Sequence, residues 1–264
     1  MQSLMRTLFK GLVLVLLFVG TWQALSQVEW RQLFQVDSFS RETENQLGKK
    51  LEQLLQKSQP DFDVPEAKEA LDSLLHRLAD SNGLDPQAFH LHLVKNREVN
   101  AFALPGSQMV VYSGLLAEVE SPEMLAGVMA HEMAHIELGH VRKKLLKEVG
   151  LAMLLSATGG EGSPEALRNV LHQLSSTAFD RNLEEEADEM ALQYLKKAGI
   201  DPFPTGRFFE MMAKEHPETS AIPEWLNTHP ESAERARRFL RAEPGAIRPA
   251  LSPEKWNACK ESLK

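Results

Sequence analysis

Thiol chemistry is nearly absent from this chain: among 264 residues there is one cysteine, Cys259. A lone cysteine closes no intramolecular disulfide and builds no thiolate cage, so any bound metal must rest on histidine and carboxylate. Concentrated positive charge is lacking too. The chain holds 29 basic against 37 acidic residues, a formal charge of -8, and no Lys/Arg run exceeds three residues. Binding a polyphosphate requires a clustered positive field, so nucleic acid is excluded as a partner. Glycine (15) and proline (14) stay far below fibrous or linker levels, and no solenoid-length repeat recurs. What is abundant is apolar: 43% of residues are hydrophobic, enough for a globular domain of about 200 residues plus extensions.

The longest apolar run lies at the N-terminus. Arg6 and Lys10 precede Gly11 to Gly20, a Leu/Val/Phe stretch, and no charge follows until Glu29. A basic flank, an apolar centre and small residues at the exit, Ala24 and Ser26, have the form of an export signal. Residues 1–26 therefore read as a signal peptide or membrane anchor. This places the remainder in the cell envelope, on the periplasmic side, with membrane association where the segment is kept. Residues 27–64 are Gln-rich, with Leu47, Leu51, Leu54 and Leu55 at helical spacing, and read as a helical spacer. The folded domain is expected over 65–243, and 244–264 form a C-terminal tail that either wraps the domain or hangs free.

Within the domain, Pro65 stands at a first helical position. Ala67, Leu71, Leu74, Leu75 and Leu78 make one apolar face, and Gly83 supplies the left-handed stop. From Phe89 the period changes to two: Phe89, Leu91 and Leu93 alternate with His90 and His92, which read as solvated strand residues rather than ligands. Strands over Val99 to Leu104 and Met109 to Tyr112 follow, separated by Pro105, Gly106 and Ser107. Helices are expected near 122–147, 164–178, 182–198, 205–215 and 230–242. The fold class is α+β, helix-dominated, with a small β-sheet.

The chemistry concentrates in His131-Glu132-Met133-Ala134-His135. Ser121 caps and Pro122 opens the helix that carries it, so the two histidines fall at i and i+4 on one face and both reach one ion. Zinc takes imidazole nitrogen at roughly 2.0 Å, and a catalytic site uses three protein ligands, leaving a position for water. Glu132 stands about 100° round the helix, beside the ion, where it can take a proton. Two solvated histidines on a surface helix are the plainer reading. Against it, this helix is apolar enough to be buried, and unpaired imidazoles there are costly.

A third ligand must come from elsewhere. Leu138 and Val141 exclude the metzincin pattern, and His140 lies about 180° from His131 on the helix and cannot share its ion. In the later helix Leu183, Ala187, Met190, Ala191, Tyr194 and Ala198 define a buried face. Glu184 lies about 60° from its centre, Glu186 and Asp188 about 100°, and Glu185 and Glu189 about 160°. Glu184 is thus the carboxylate that points inward. Asp188, one turn on, is placed to accept the second N–H of a ligand histidine. The other acidic residues read as a solvated face.

With these residues in place, Glu184-x-x-Ala187-Asp188 after the His131 motif resembles the zinc endopeptidase family that contains the CAAX prenyl endopeptidases, the HtpX heat-shock proteases and the BepA-type periplasmic proteases. Asn100 to Gly106, Ser113 to Leu116 and Thr228-His229-Pro230 resemble further blocks of that family, over about residues 65 to 240. The resemblance implies a zincin-like (gluzincin) fold and one zinc per chain on His131, His135 and Glu184. It also implies Glu132 as general base and Asp188 as a supporting residue. His229 would be a fourth ligand, an oxyanion donor or a regulatory group. Asn100, Ala101, Phe102 and Ala103 would form a strand receiving protein or peptide substrate. Ser107 departs from the family's second glycine. The several membrane spans of the HtpX branch are absent, since Gly150 to Thr158 is too short to span, and the tetratricopeptide extension of the BepA branch is not found. The implied activity is hydrolysis of unfolded or misassembled envelope proteins; the alternative is a zinc-bound, non-catalytic, chaperone-like binding module. Oligomeric state has no signal in the sequence.

Overall fold

The computed structural model describes residues 41–58, 62–150, 163–214, 224–230, 233–243 and 245–263. The N-terminal apolar segment, the first part of the spacer and most of Gly150 to Thr158 lie outside the described residues. Among those described, no helix is long and apolar enough to cross a membrane.

Helix α1 (Arg41–Ser58) buries Leu47, Gly48, Leu51 and Leu55. Helix α2 (Pro65–Ser81) starts on the expected proline and buries Ala67, Leu71, Leu74, Leu75 and Leu78. It ends where Gly83 turns left-handed at φ 71°. Strands β1 (His90–Val94), β2 (Ala101–Leu104) and β3 (Gln108–Tyr112) form one sheet in the order β1-β3-β2. β1 runs parallel to β3 with His90 opposite Gln108, and β2 antiparallel with Ala101 opposite Val111. β2 is an edge strand. Its hairpin turn holds Gly106 at φ 75° and Ser107 at φ 57°, so the serine occupies a left-handed position that a second glycine would take without steric cost. The strand expected from Val99 begins at Ala101, because the Val99 carbonyl accepts the Trp225 N–H (3.2 Å) instead of a ladder bond. His92, expected to be solvated, is buried.

Helix α3 (Ser113–Glu118) leads into α4 (Pro122–Glu137), the central helix. The Ser121 hydroxyl accepts the Met124 N–H at 3.2 Å, and every side chain from Met124 to His135 is buried. Burial on all faces follows from its neighbours: α2, β2, α7 (Arg181–Lys197) and α8 (Phe203–Lys214) surround it. The helix expected to run to about 147 breaks at Leu138 and Gly139, which sits at φ 65°. Helix α5 (His140–Lys144) then sets off in a new direction and ends in a π-helical turn, Leu145–Val149. Helix α6 (Pro164–Ser176) packs on α1 and on β2.

The remaining helices are α9 (Glu224–Thr228), α10 (Ala233–Leu240) and α11 (Pro253–Glu261). Phe208, Phe209, Trp225 and Phe239 join the α2, α4 and α7 side chains in one core. The C-terminal tail wraps the domain. Arg77 donates to the carbonyls of Ala198, Gly199, Arg248, Pro249 and Ala250. Lys260 Nζ donates to those of Leu116, Ala117 and Val119 at 2.7–2.9 Å, and α11 lies on α2. Half-buried cationic donors meeting several carbonyls make this contact polar as well as apolar.

Candidate metal centre

α4 presents His131 and His135 one turn apart, α7 presents Glu184 in its first turn, and the residue after α9 presents His229. All four are buried, and one donor atom of each lies within 4.8 Å of the other three. Nε2 of His131 and Nε2 of His135 are 3.0 Å apart. His135 Nε2 is 3.3 Å from Glu184 Oε1, which is 3.0 Å from His229 Nδ1, and that nitrogen is 3.2 Å from His131 Nε2. A tetrahedral zinc ion with bonds of roughly 2.0–2.1 Å separates its donors by about 3.3 Å. The donor set fits such an ion. It also needs one: imidazole lone pairs this close, away from water, repel unless a cation or proton lies between them.

Glu132 projects beside this point with both carboxylate oxygens buried and without a hydrogen bond among the described residues; Oε1 stands 3.3 Å from His229 Nε2. Burial raises its pKa above the usual carboxylate range. On its own, burial would depress both ring pKa values. At His131 the adjacent Asp188 and Glu184 outweigh it and push the pKa up to about 9. At His135 burial and the neighbouring His131 charge hold it well below the ordinary value. Glu184 resists the upward push of burial because His229, His131 and His135 surround it, and its pKa falls.

Asp188, the expected support, lies with Oδ1 3.1 Å from His131 Nδ1. It is itself clamped by Arg235 of α10, whose Nε and Nη2 donate to its two oxygens at 2.6 and 2.8 Å. Arg235 Nη1 also reaches Glu184 Oε2 at 2.6 Å. Aromatic rings wall the site. Phe179 stacks on His135 with centroids 4.0 Å apart, and Trp225 stacks on His229 at 5.0 Å. Lys144, buried at the end of α5, donates to the carbonyls of Leu174 and Thr177 (2.9 and 2.5 Å) and lies 4.2 Å over the Phe179 ring.

The structure thus brings His131, Glu132, His135, Glu184, Asp188 and His229 together. Ala101 to Ala103 lie on β2, which packs on α4, and Asn100 immediately precedes it, but the side chains of all four are buried. Sequence reasoning missed Arg235, Phe179, Trp225, Lys144 and the contact of His140 with His135. For His140 a signal existed, the helix-stopping Gly139. Nothing local distinguishes Arg235 from Arg237 and Arg238 beside it.

A helix-borne His-Glu-x-x-His pair completed by a glutamate from a second helix, on a helix-dominated domain with one small sheet, defines a zincin-like metallopeptidase domain. The chain belongs to peptidase family M48, whose sequence model matches residues 65–243. It is 30% identical over 199 residues to the beta-barrel assembly-enhancing protease of Escherichia coli (strain K12), covering 71% of this chain and 41% of that protein. It is 30% identical over 203 residues to the mitochondrial metalloendopeptidase OMA1 of Bos taurus, covering 68% and 38%. Metalloprotease LoiP of E. coli (strain K12) is 32% identical over 165 residues, covering 60% and 64%. The chain spans about two fifths of the length of the first two relatives.

Proposed function

We propose that this protein is a zinc-dependent endopeptidase that hydrolyses peptide bonds of unfolded or misassembled proteins in the cell envelope. One observation carries the reading: four buried donors converge at tetrahedral spacing, with an uncommitted glutamate beside them. Zinc would be held by His131, His135 and Glu184, supplying a Lewis acid for the scissile carbonyl and lowering the pKa of a water molecule. Glu132 takes the proton of the attacking water and returns it to the leaving amine, and its raised pKa makes it a stronger base than an exposed glutamate. Asp188 accepts from His131 Nδ1 and, with Arg235, keeps that ring aimed inward.

His229 acts as the fourth donor of a resting form. Its ring occupies the position that water and substrate need, so turnover requires the turn Thr228 to Pro230 to move away. Helix α9, which leads into this turn, bonds the chain just ahead of β2 through the Trp225 N–H to the Val99 carbonyl, so its departure with the turn would also uncover the start of β2. Substrate then pairs with the β2 edge near Asn100 to Ala103, where backbone bonding accepts many sequences. The envelope location rests on the form of residues 1–26 and on the name of the E. coli relative.

Incubating the purified chain with unfolded casein, with chelator and then with zinc restored, tests the activity. Cleavage lost to chelator and regained with zinc is expected. Zinc-loaded protein that binds casein and never cuts it would replace this reading with the binding module.

A further inference from the structure

His135 turns Nε2 toward the shared donor point, which leaves Nδ1 facing away from it, 3.0 Å from Nδ1 of His140. Between two imidazole nitrogens at that distance, one carries the hydrogen and the other the lone pair. A neutral ring that offers its Nε2 lone pair inward carries its hydrogen on Nδ1, so His135 donates and His140 accepts. His140 is then the Nε2–H tautomer. An acceptor for that hydrogen is present: Glu186 Oε2 lies 3.2 Å from His140 Nε2. The His140 ring is fully buried, whereas the Glu186 side chain is 54% exposed, so the chain of contacts runs from the donor cluster to the surface.

Backbone geometry produces this arrangement. Had α4 continued as an unbroken helix, His140 would have pointed away from the site; the left-handed Gly139 turns the chain and brings its ring against His135. α7 provides the far end. Glu184, Glu186 and Asp188 follow one another at two-residue intervals, one in the donor set and two behind it. Asp188 meets His131 directly, while Glu186, further round the helix, meets His135 only through the His140 ring.

We propose that His140 and Glu186 are positioning residues. His140 accepts the His135 Nδ1–H and donates its own Nε2–H to Glu186, which holds His135 in the one tautomer that can bind an ion. The proposal rests on the reading of His135 as a metal ligand. Its effect is on metal affinity: removing the partner that orients a ligand histidine weakens binding on the order of 10- to 100-fold.

The full chain, wild type and variants, is measured in two ways. Nitrogen-15 NMR of the chelator-treated protein reads the His135 tautomer without any metal. Competition with a chromophoric chelator reads Zn²⁺ affinity. In His140→Phe, which keeps the ring's bulk, His135 is expected to lose its single Nδ1–H form and zinc affinity to fall by that 10- to 100-fold factor. His140→Asn places an amide oxygen where the ring Nδ1 stood and is expected to restore both, a rescue that a purely packing role would not give. Should the Phe variant fold poorly, Glu186→Ala, at a half-exposed position, is expected to mix the His140 tautomers and weaken zinc several-fold. Wild-type tautomers and affinity in His140→Phe, or in Glu186→Ala, overturn the relay. His135→Ala separates the two levels: ion binding lost there, with unchanged behaviour in the His140 and Glu186 variants, sinks the relay alone, whereas wild-type affinity in His135→Ala removes the ligand reading beneath it.

Discussion

Replacing Arg235 with leucine removes the counterion of two buried carboxylates at once. Asp188 is fully buried and takes two of its hydrogen bonds from this guanidinium, at 2.6 and 2.8 Å; Glu184 is 1% exposed and meets the third nitrogen at 2.6 Å. Breaking one side of a buried pair costs about 3–5 kcal/mol, against 1 kcal/mol or less at the surface. Leucine keeps part of the packing on Phe209, over which the guanidinium carbon sits at 5.1 Å. A loss of about 4 kcal/mol is therefore expected in chelator-treated protein, a large share of the roughly 5–15 kcal/mol typical of a folded domain. Urea unfolding followed by far-ultraviolet circular dichroism measures it. Saturating zinc should shrink the loss, because the ion replaces the missing positive charge beside Glu184. Arg235→Lys should recover little, since an ammonium cannot make the two parallel bonds to Asp188. Combining Arg235→Leu with Asp188→Asn should be milder than the single change, as the stranded charge is gone. A loss below about 1 kcal/mol in metal-free Arg235→Leu, outside the range for a buried pair, would refute the electrostatic account.

Other consequences are equally direct. Glu132→Gln keeps the volume and the neighbouring imidazoles, so it should retain zinc while casein cleavage falls on the order of 10²- to 10⁴-fold; full activity would remove Glu132 from the reaction. His229→Ala opens the fourth donor position, so it should cleave casein several-fold faster than wild type and hold zinc less tightly. Zinc retained with cleavage abolished would make that ring a participant in the chemistry instead. Burial lowers the Lys144 pKa from 10.5 to about 8. Below pH 8 both states hold the proton and the folded state bears the full burial cost. Between about 8 and 10.5 the unfolded chain binds the extra proton, so stability rises with pH by at most about 1.4 kcal/mol per unit, and by about 3 kcal/mol over the window. Urea unfolding at pH 7 to 10 should show wild type gaining on Lys144→Met by that trend, and a flat difference would contradict it.

Local chemistry made much of the site legible. Ser121, Pro122 and the apolar run after them specify α4 from neighbours in sequence, and 3.6-residue periodicity alone picks Glu184 from five acidic residues in α7 as the one facing inward. Both inferences need only the geometry of a single helix, which nevertheless ranks the fully buried Asp188 level with the exposed Glu186. The errors arise where a second element intervenes. Extending α4 through Leu138 and Gly139 followed hydrophobic content past a residue able to adopt a left-handed turn, and it removed His140 from consideration by an angle that holds only for an unbroken helix. His92 and β2 alternate or sit at an edge in ways that suggest exposure, yet α6 and the Trp225 segment cover β2.

Arg235 marks a deeper limit. Its helix reads Ala-Glu-Arg-Ala-Arg-Arg-Phe-Leu, and three arginines within four residues differ in nothing that sequence carries; one is buried only because α7 brings two carboxylates opposite it. A buried charge is therefore invisible until its partner is located, and the partner here is legible only as a support for His131. The inference has to run outward from the ion, from donor to orienting carboxylate to counterion. Each step depends on a longer-range contact than the one before, so the geometry of single helices reaches His131 and Glu184 and stops short of Arg235.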